Sequence, residues 1–262
     1  MMKEKLNIVK VGGAIVENEE SIQSLLMSFS ALPGLKILVH GGGKTATRVA
    51  SQLGVETQMI DGRRVTSAEM LKVVTMVYGG LVNKNLVARL QALGVNAIGL
   101  TGADMNVIMS VKRPVKPVNF GYVGDVKYVN VKALSTIIDA GAVPVLAPLT
   151  HDKEGNMLNT NGDTIAASVA KALSSTYDIT LTYCSSTPGV MRNLDDPDSL
   201  IRTITSKDFN NLVADGTISE GMIPKLENAF EAINSGVSRV VITSASALDG
   251  GTTIMSDPET DD

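Results

Sequence analysis

The chain has 262 residues, of which 44% are hydrophobic and 19% charged, enough for one large α/β domain or two lobes. A net charge of −4, no dense Lys/Arg run and no Trp argue against a nucleic-acid surface or a base-stacking platform. The single cysteine, Cys184, rules out an intrachain disulfide and suits a reducing compartment.

The apolar run near the N-terminus is broken by Lys10 and is followed by no small-residue cleavage site. The apolar window Ala140 to Leu149 is short and holds Pro144 and Pro148. Neither a leader nor a membrane span is expected, and a cytoplasmic location follows.

In chain order, Leu6 to Val11 reads as a strand ending at Gly12-Gly13, and Asn18 to Ala31 as a helix with Ile22, Leu25, Leu26 and Phe29 on one face. Leu35 to His40 is a second strand. Gly41, Gly42 and Gly43 follow, and a helix runs from Lys44 to Leu53. A strand, a glycine turn and a helix N-terminus make a cradle for an anion, because bare backbone N–H groups and the helix dipole both favour negative charge. Strand–helix alternation from the outset predicts a parallel sheet with helices on both faces.

Thr57 to Asp61 reads as a short strand. Thr66 is the expected cap of a long helix whose apolar residues Met70, Leu71, Val74, Val77, Tyr78, Leu81 and Val82 form a stripe. That stripe serves either the core or a dimer seam. Gly79-Gly80 inside it should bend the helix or admit a neighbouring backbone. After a strand at Asn96 to Leu100, Val107 to Val129 turns β-rich and irregular, as one or two hairpins at the sheet edge. Val131 to Ala140 (helix) and Val143 to Ala147 (buried strand) follow, then a turn at His151 to Asn156; a lobe boundary is expected near Thr150 to Asn159. Beyond it come a helix at Asn161 to Leu173, a strand at Tyr177 to Tyr183, helices at Ser206 to Ala214 and Gly221 to Asn234, and a strand at Arg239 to Thr243. The polar tail from Ser256 on is expected to be disordered.

Several residues break a local rule. Lys10 sits near the carboxyl end of an apolar strand, where parallel sheets bind ligands, and a lysine there is costly unless it meets an anion or lies on a solvent-facing edge. Lys225, beside Pro224 in a helix's first turn, opposes the helix dipole unless it points at a phosphate. Asp163 follows Asn161 as an ordinary capping pair, whereas Asn159 is not needed for capping and would face the sheet edge. Arg64 follows a strand and a glycine and suits capture of a carboxylate, although a surface arginine is equally consistent. His40 and His151 lack metal-ligand spacing and read as structural or surface residues. No metal site is expected.

Two nucleotide motifs nearly fit the glycine turn. A P-loop ending Gly43-Lys44-Thr45 needs a glycine where Leu38 stands, and is rejected. The looser dinucleotide fingerprint, Gly41-x-Gly43-x-x-Ala46 with Asp61 as ribose acid, leaves an NAD(P)-dependent oxidoreductase as a competitor. It does not explain Lys10 or Lys225.

Five ordered stretches together resemble the amino acid kinase family. They are Val9-Lys10-Val11-Gly12-Gly13, Val39-His40-Gly41-Gly42-Gly43, Gly62-Arg63-Arg64-Val65-Thr66, Asn159-Thr160-Asn161-Gly162-Asp163 and Gly221-Met222-Ile223-Pro224-Lys225. The resemblance implies a three-layer αβα sandwich around a mostly parallel central sheet, in two lobes. Residues 1–155 would bind an acylated amino acid and form the dimer, and residues 156–262 would bind ATP.

The Arg-Val-Thr piece is similar to the branch that phosphorylates N-acetyl-L-glutamate on its side-chain carboxylate, the second step of arginine biosynthesis. The resemblance makes Lys10, Asp163 and Lys225 catalytic, with Asp163 holding the two lysines. Gly42, Gly43, Arg64 and Asn159 would bind the acceptor. Gly12, Gly13, Ser185, Gly189 and Ser219 would meet the nucleotide, with Mg²⁺ carried in by ATP. Lys112, Arg113 and Lys116 leave N-succinyl-L-glutamate open as an alternative acceptor. Where the family has an Asp-Val-x-Gly turn, this chain has Cys184-Ser185-Ser186-Thr187-Pro188-Gly189, which keeps a non-catalytic sensor in view. Arginine-inhibited relatives carry a helix ahead of the first strand and form hexamers. Lys10 comes almost at once here, so a homodimer insensitive to arginine is expected, with the Thr66 to Leu93 helix near its seam.

Overall fold

The computed structural model describes residues 3–60, 62–218, 222–248 and 250–257. Ser219, Gly221, Asp61 and the last five residues of the acidic tail lie outside the described residues. The first half runs β1 (Lys5–Val11), α1 (Gly13–Val16), α2 (Glu19–Ala31), β2 (Leu35–His40), α3 (Gly43–Gln52) and the two-residue strands β3 (Met59–Ile60) and β4 (Arg63–Arg64). One long helical stretch follows, made of α4 (Ala68–Val74), a π-helical run Thr75–Val82 and α5 (Asn83–Ala92). Then come β5 (Ala97–Leu100), β6 (Ile108–Lys112), β7 (Gly124–Val129), α6 (Val131–Asp139), β8 (Val143–Leu146), β9 (Leu149–His151) and β10 (Met157–Asn159). The second half has α7 (Gly162–Leu173), β11 (Asp178–Ser185), β12 (Thr203–Ile204), α8 (Ser206–Ala214), α9 (Ile223–Asn234), β13 (Arg239–Ser244) and β14 (Thr252–Ile254).

Eight strands make the central sheet in the order β12-β14-β13-β11-β1-β2-β8-β5, all parallel except the β13–β14 pair. This is the expected αβα sandwich. Side chains alternate across the sheet, so each strand feeds two cores. Leu6, Ile8, Ile37, Val39, Ile179, Leu181 and Val240 pack with α6, α7 and α9 on one face. Val9, Val11, Leu38, Val145 and Cys184 pack with α2, α3, α4 and α5 on the other. β1 sits between β2 and β11, at the junction of the N-terminal and C-terminal strands.

A second, four-stranded sheet, β10-β9-β6-β7, stands beyond the main one. It contains the expected β6–β7 hairpin and a second hairpin, β9–β10, where the sequence suggested only a turn. Thr66 does not cap the long helix. Ser67 does, accepting the N–H of Met70. Thr66 is instead fully buried and stitched to the hairpin loop, its N–H donating to the Phe120 carbonyl and its own carbonyl accepting from Tyr122. Gly121 makes this possible: its φ is +72°, and an added Cβ would run into the Thr66 carbonyl.

Candidate active site

A cleft of about 320 Å³ opens at the carboxyl ends of β1 and β2, lined by Lys10, Gly13, Gly41 to Gly43, Arg64, Tyr78, Arg113 and Asn159 to Gly162, among others. It is built largely from backbone. The turns after β1 and β2 touch directly: a Cβ on Gly41 would meet the Gly13 nitrogen at 2.9 Å, and one on Gly13 would meet the Gly43 nitrogen at 3.1 Å. No side chain larger than hydrogen fits between them. The turn is fastened by Gly41 N–H to the Val11 carbonyl (2.9 Å) and by Ala46 N–H to the Gly42 carbonyl (3.0 Å). The N–H groups of Gly42 and Gly43, at the start of α3, donate to no acceptor among the described residues. Such bare donors are an anion site. Two residues on, Thr45 N–H is already taken by the Glu17 carboxylate.

Lys10 points to the α7 side of the sheet, in step with Leu6 and Ile8. Its Nζ lies 2.8 Å from Oδ1 of Asp163, in the first turn of α7. That oxygen is buried and has no hydrogen-bond partner among the described residues, so the lysine contact is an ion contact that the oxygen depends on. Asn161 holds this turn, its Oδ1 accepting from Asp163 N–H (2.8 Å) and Thr164 N–H (3.1 Å). A Cβ on Gly162 would lie in van der Waals contact with the Lys10 chain and the His40 carbonyl, at 3.4 Å from each.

Lys225 lies in the first turn of α9, which packs with α7 on the same face of the sheet. Burial pulls its pKa below the usual lysine range; the Asp163 carboxylate opposes this, and the Lys10 charge adds to it. The three groups sense one another, so Lys10, Asp163 and Lys225 form one cluster. Cys184 lies close enough to feel both lysines, yet burial pushes its thiol up to about 12 and leaves it an inert packing residue.

At the other end of the cleft Arg64 is buried, so it is not a surface arginine. It donates to the Gly43 carbonyl at 2.8 Å and to Thr47 Oγ1 at 2.9 Å. Asn159 is buried and donates to Thr66 Oγ1 at 3.0 Å. Tyr78, which looked like one more member of an apolar stripe, lines the cleft, and its ring would meet a Cβ on Gly42 at 3.1 Å. Burial raises its hydroxyl's pKa, and the Arg64 guanidinium works against this.

Two of the three cations of the hairpin region already have partners. Arg113 reaches the cleft, but it pairs with Asp125 at 2.6 Å and lies over the Phe120 ring at 5.3 Å. Lys112 sits over Tyr122 at 4.4 Å. A second carboxylate on the acceptor therefore finds no unpaired charge at Arg113, and Lys116 is exposed.

Of the nucleotide candidates, Gly12 and Gly13 lie in the β1–α1 turn. Ser185 ends β11 and donates to the Thr187 carbonyl. Gly189 is buried, and a Cβ there would collide with Leu200 and Thr252, so its smallness serves packing against β14. Among the described residues there is no group of three or more His, Cys, Asp or Glu suited to a metal, and no helix long and apolar enough to cross a membrane.

Comparison with known proteins agrees with this geometry. Residues 5–244 match the model of the amino acid kinase family. The chain is 64% identical over 250 residues to an acetylglutamate kinase of Phocaeicola vulgatus, covering 95% of this chain and 97% of that protein. It is 40% identical over 247 residues to an acetylglutamate kinase of Methanopyrus kandleri, covering 93% and 96%. The crystal structure of smu.665 from Streptococcus mutans superposes with a TM-score of 0.80 at 30% identity, covering 96% of this chain and 99% of that one. These matches set aside the oxidoreductase reading of the glycine turn, and the chain belongs to the amino acid kinase family.

Proposed function

We propose that this chain is an acetylglutamate kinase, transferring the γ-phosphoryl group of ATP to the side-chain carboxylate of N-acetyl-L-glutamate. The product is N-acetylglutamyl 5-phosphate, and the reaction is the second step of arginine biosynthesis. The observation that carries the reading is the layout of one cleft and its border: bare N–H groups at Gly42 and Gly43, a buried arginine and asparagine on one side, and on the other Lys10, whose ammonium meets Asp163 behind it and feels the charge of Lys225.

Arg64 and Asn159 hold the acceptor's α-carboxylate and amide end, and the glycine N–H groups hold its side-chain carboxylate. An oxygen of that carboxylate attacks the γ-phosphorus, and the bond from phosphorus to the bridging oxygen of ADP breaks. The carboxylate is already ionised, so no proton is moved and no general base is required. Catalysis is positioning together with electrostatic stabilisation. Lys10 and Lys225 neutralise charge on the transferred group, and Asp163 fixes both. The residues present fit a Mg²⁺ carried in mainly by phosphates and water, since the cluster offers a single carboxylate, Asp163. Such an ion would neutralise charge on the ATP phosphates.

Residues 1–155 form the acceptor lobe and residues 156–262 the ATP lobe, with Gly12, Gly13 and Ser185 facing the nucleotide. The protein acts as a homodimer in the cytoplasm. ADP release with ATP, Mg²⁺ and N-acetylglutamate tests the activity. Turnover that is lost in Lys10→Ala and Lys225→Ala supports the reading, and a wild-type protein that releases no ADP sinks it.

A further inference from the structure

The geometry points to His40 and Asn83 as positioning residues that set the aim of the glycine turn. The inference rests on the reading of Gly42 and Gly43 as the acceptor's cradle. His40 is the last residue of β2 and fully buried, on the side of the sheet away from Lys10. One ring nitrogen, Nδ1, is 2.8 Å from the carbonyl of Gly41, the first residue of the turn. The other, Nε2, is 3.1 Å from Nδ2 of Asn83, which is itself 99% buried and also donates to the Val145 carbonyl at 2.9 Å.

These contacts admit one arrangement of protons. Carbonyls only accept, so Nδ1 carries the hydrogen and gives it to Gly41. The Asn83 amide has two hydrogens, one for Val145 and one for Nε2, which must be bare. Its oxygen accepts from Lys84 Nζ at 3.1 Å. Every polar atom of this strut is satisfied, and the imidazole is neutral. Burial drives its pKa down to about 4, and the nearby Lys84 charge works in the same direction.

The strut matters because of what it pins. With the Gly41 carbonyl turned back onto His40, and the Gly41 N–H on Val11, the next two N–H groups are turned outward into the cleft. Asn83 reaches His40 from the position where the π-helical run Thr75–Val82 passes into α5. A change of one residue in that register would carry the amide off the imidazole. Tyr78, in the same run, closes against Gly42 from above. The long helix thus supports the cradle at two points.

Two measurements test the strut. In the full chain labelled with ¹⁵N-histidine, only His40 and His151 give ring signals. His40 should show a protonated Nδ1 and a bare Nε2 from pH 8 to pH 5, and its shifts should move when N-acetylglutamate is added. A protonated Nε2, or no response to N-acetylglutamate in a protein that turns it over, overturns the proposal. A wild type that does not turn over N-acetylglutamate overturns the proposed function instead. Second, Asn83→Leu should raise the KM for N-acetylglutamate about tenfold or more, leaving the KM for ATP unchanged. Adding His40→Phe replaces both polar partners with apolar ones and should recover part of the lost Tm while KM stays high. If KM returns together with Tm, or both KM values rise alike, the two residues serve packing alone. The NMR measurement stands even if neither variant folds.

Discussion

Lys225 keeps its charge against two opposing effects, because burial and the neighbouring Lys10 both depress its pKa and Asp163 alone among the carboxylates props it up. A lysine that must be protonated to stabilise the transferred phosphoryl group loses its effect as pH rises through its pKa. Asp163→Asn should therefore lower kcat and move the alkaline limb of the kcat profile to lower pH. An alkaline limb that stays in place would show that Asp163 does not hold Lys225 charged. Lys10→Ala should reduce kcat by about 10²–10³-fold, as expected of a group acting on developing charge, and should also lower Tm, because the buried Asp163 Oδ1 loses its ion partner. His40 gives the opposite kind of pH effect. Its pKa falls from 6.5 in the unfolded chain to about 4 in the fold. Between those values the unfolded state binds the extra proton, so stability is lost as pH drops from 6.5 toward 4, by on the order of 3 kcal/mol. Urea midpoints of wild type and His40→Asn should converge as pH falls through that window, and a constant gap would refute a neutral His40. The sequence exposed Lys10 and Lys225 as charges out of place. It hid Tyr78 in an apolar stripe and left His40 as merely structural, because neither breaks a local pattern.

The first turn of α7 does two things at once. It begins the helix, and it carries Asp163 to Lys10. Asn161→Ala removes the acceptor of two N–H groups and should cost about 1 kcal/mol. It should also lower kcat beyond what the stability loss explains, because the turn that aims Asp163 loosens. Rescue of both by Asn161→Asp, an equally good cap, distinguishes aim from stability; a variant with lowered Tm and unchanged kcat would reduce the turn to a structural role. Elements with strong local signals were legible: Leu35–His40 and Ser206–Ala214 run as their apolar periods and caps require. Strands β9, β10, β12 and β14 were not, since two or three residues hold no period and their partners are distant in sequence. Ser67 rather than Thr66 caps α4 because Thr66 is drawn into the second sheet, a tertiary demand that no window of sequence contains. The Arg113–Asp125 pair likewise needs the β6–β7 register to be seen.

At the scale of the whole molecule, the long helix between β4 and β5 faces two ways. Val74, Val77 and Val82 are buried in the core, whereas Met76 is 55% and Leu81 49% exposed. In a π-helical run the hydrogen bonds join residues five apart, so Met76 and Leu81 stack on one outward face. Large apolar side chains paired on an exposed helix suit a seam between two copies more than a solvent surface. The same helix carries Tyr78 and Asn83 to the glycine turn, so a partner pressed against it would also stiffen the cradle. Met76→Asp combined with Leu81→Asp should shift sedimentation from dimer to monomer and raise the KM for N-acetylglutamate, while leaving the KM for ATP near its wild-type value. If the wild type sediments as a monomer, the seam is not there. If the double variant stays dimeric, the two copies meet on another face, and the helix supports the acceptor site without help from a partner.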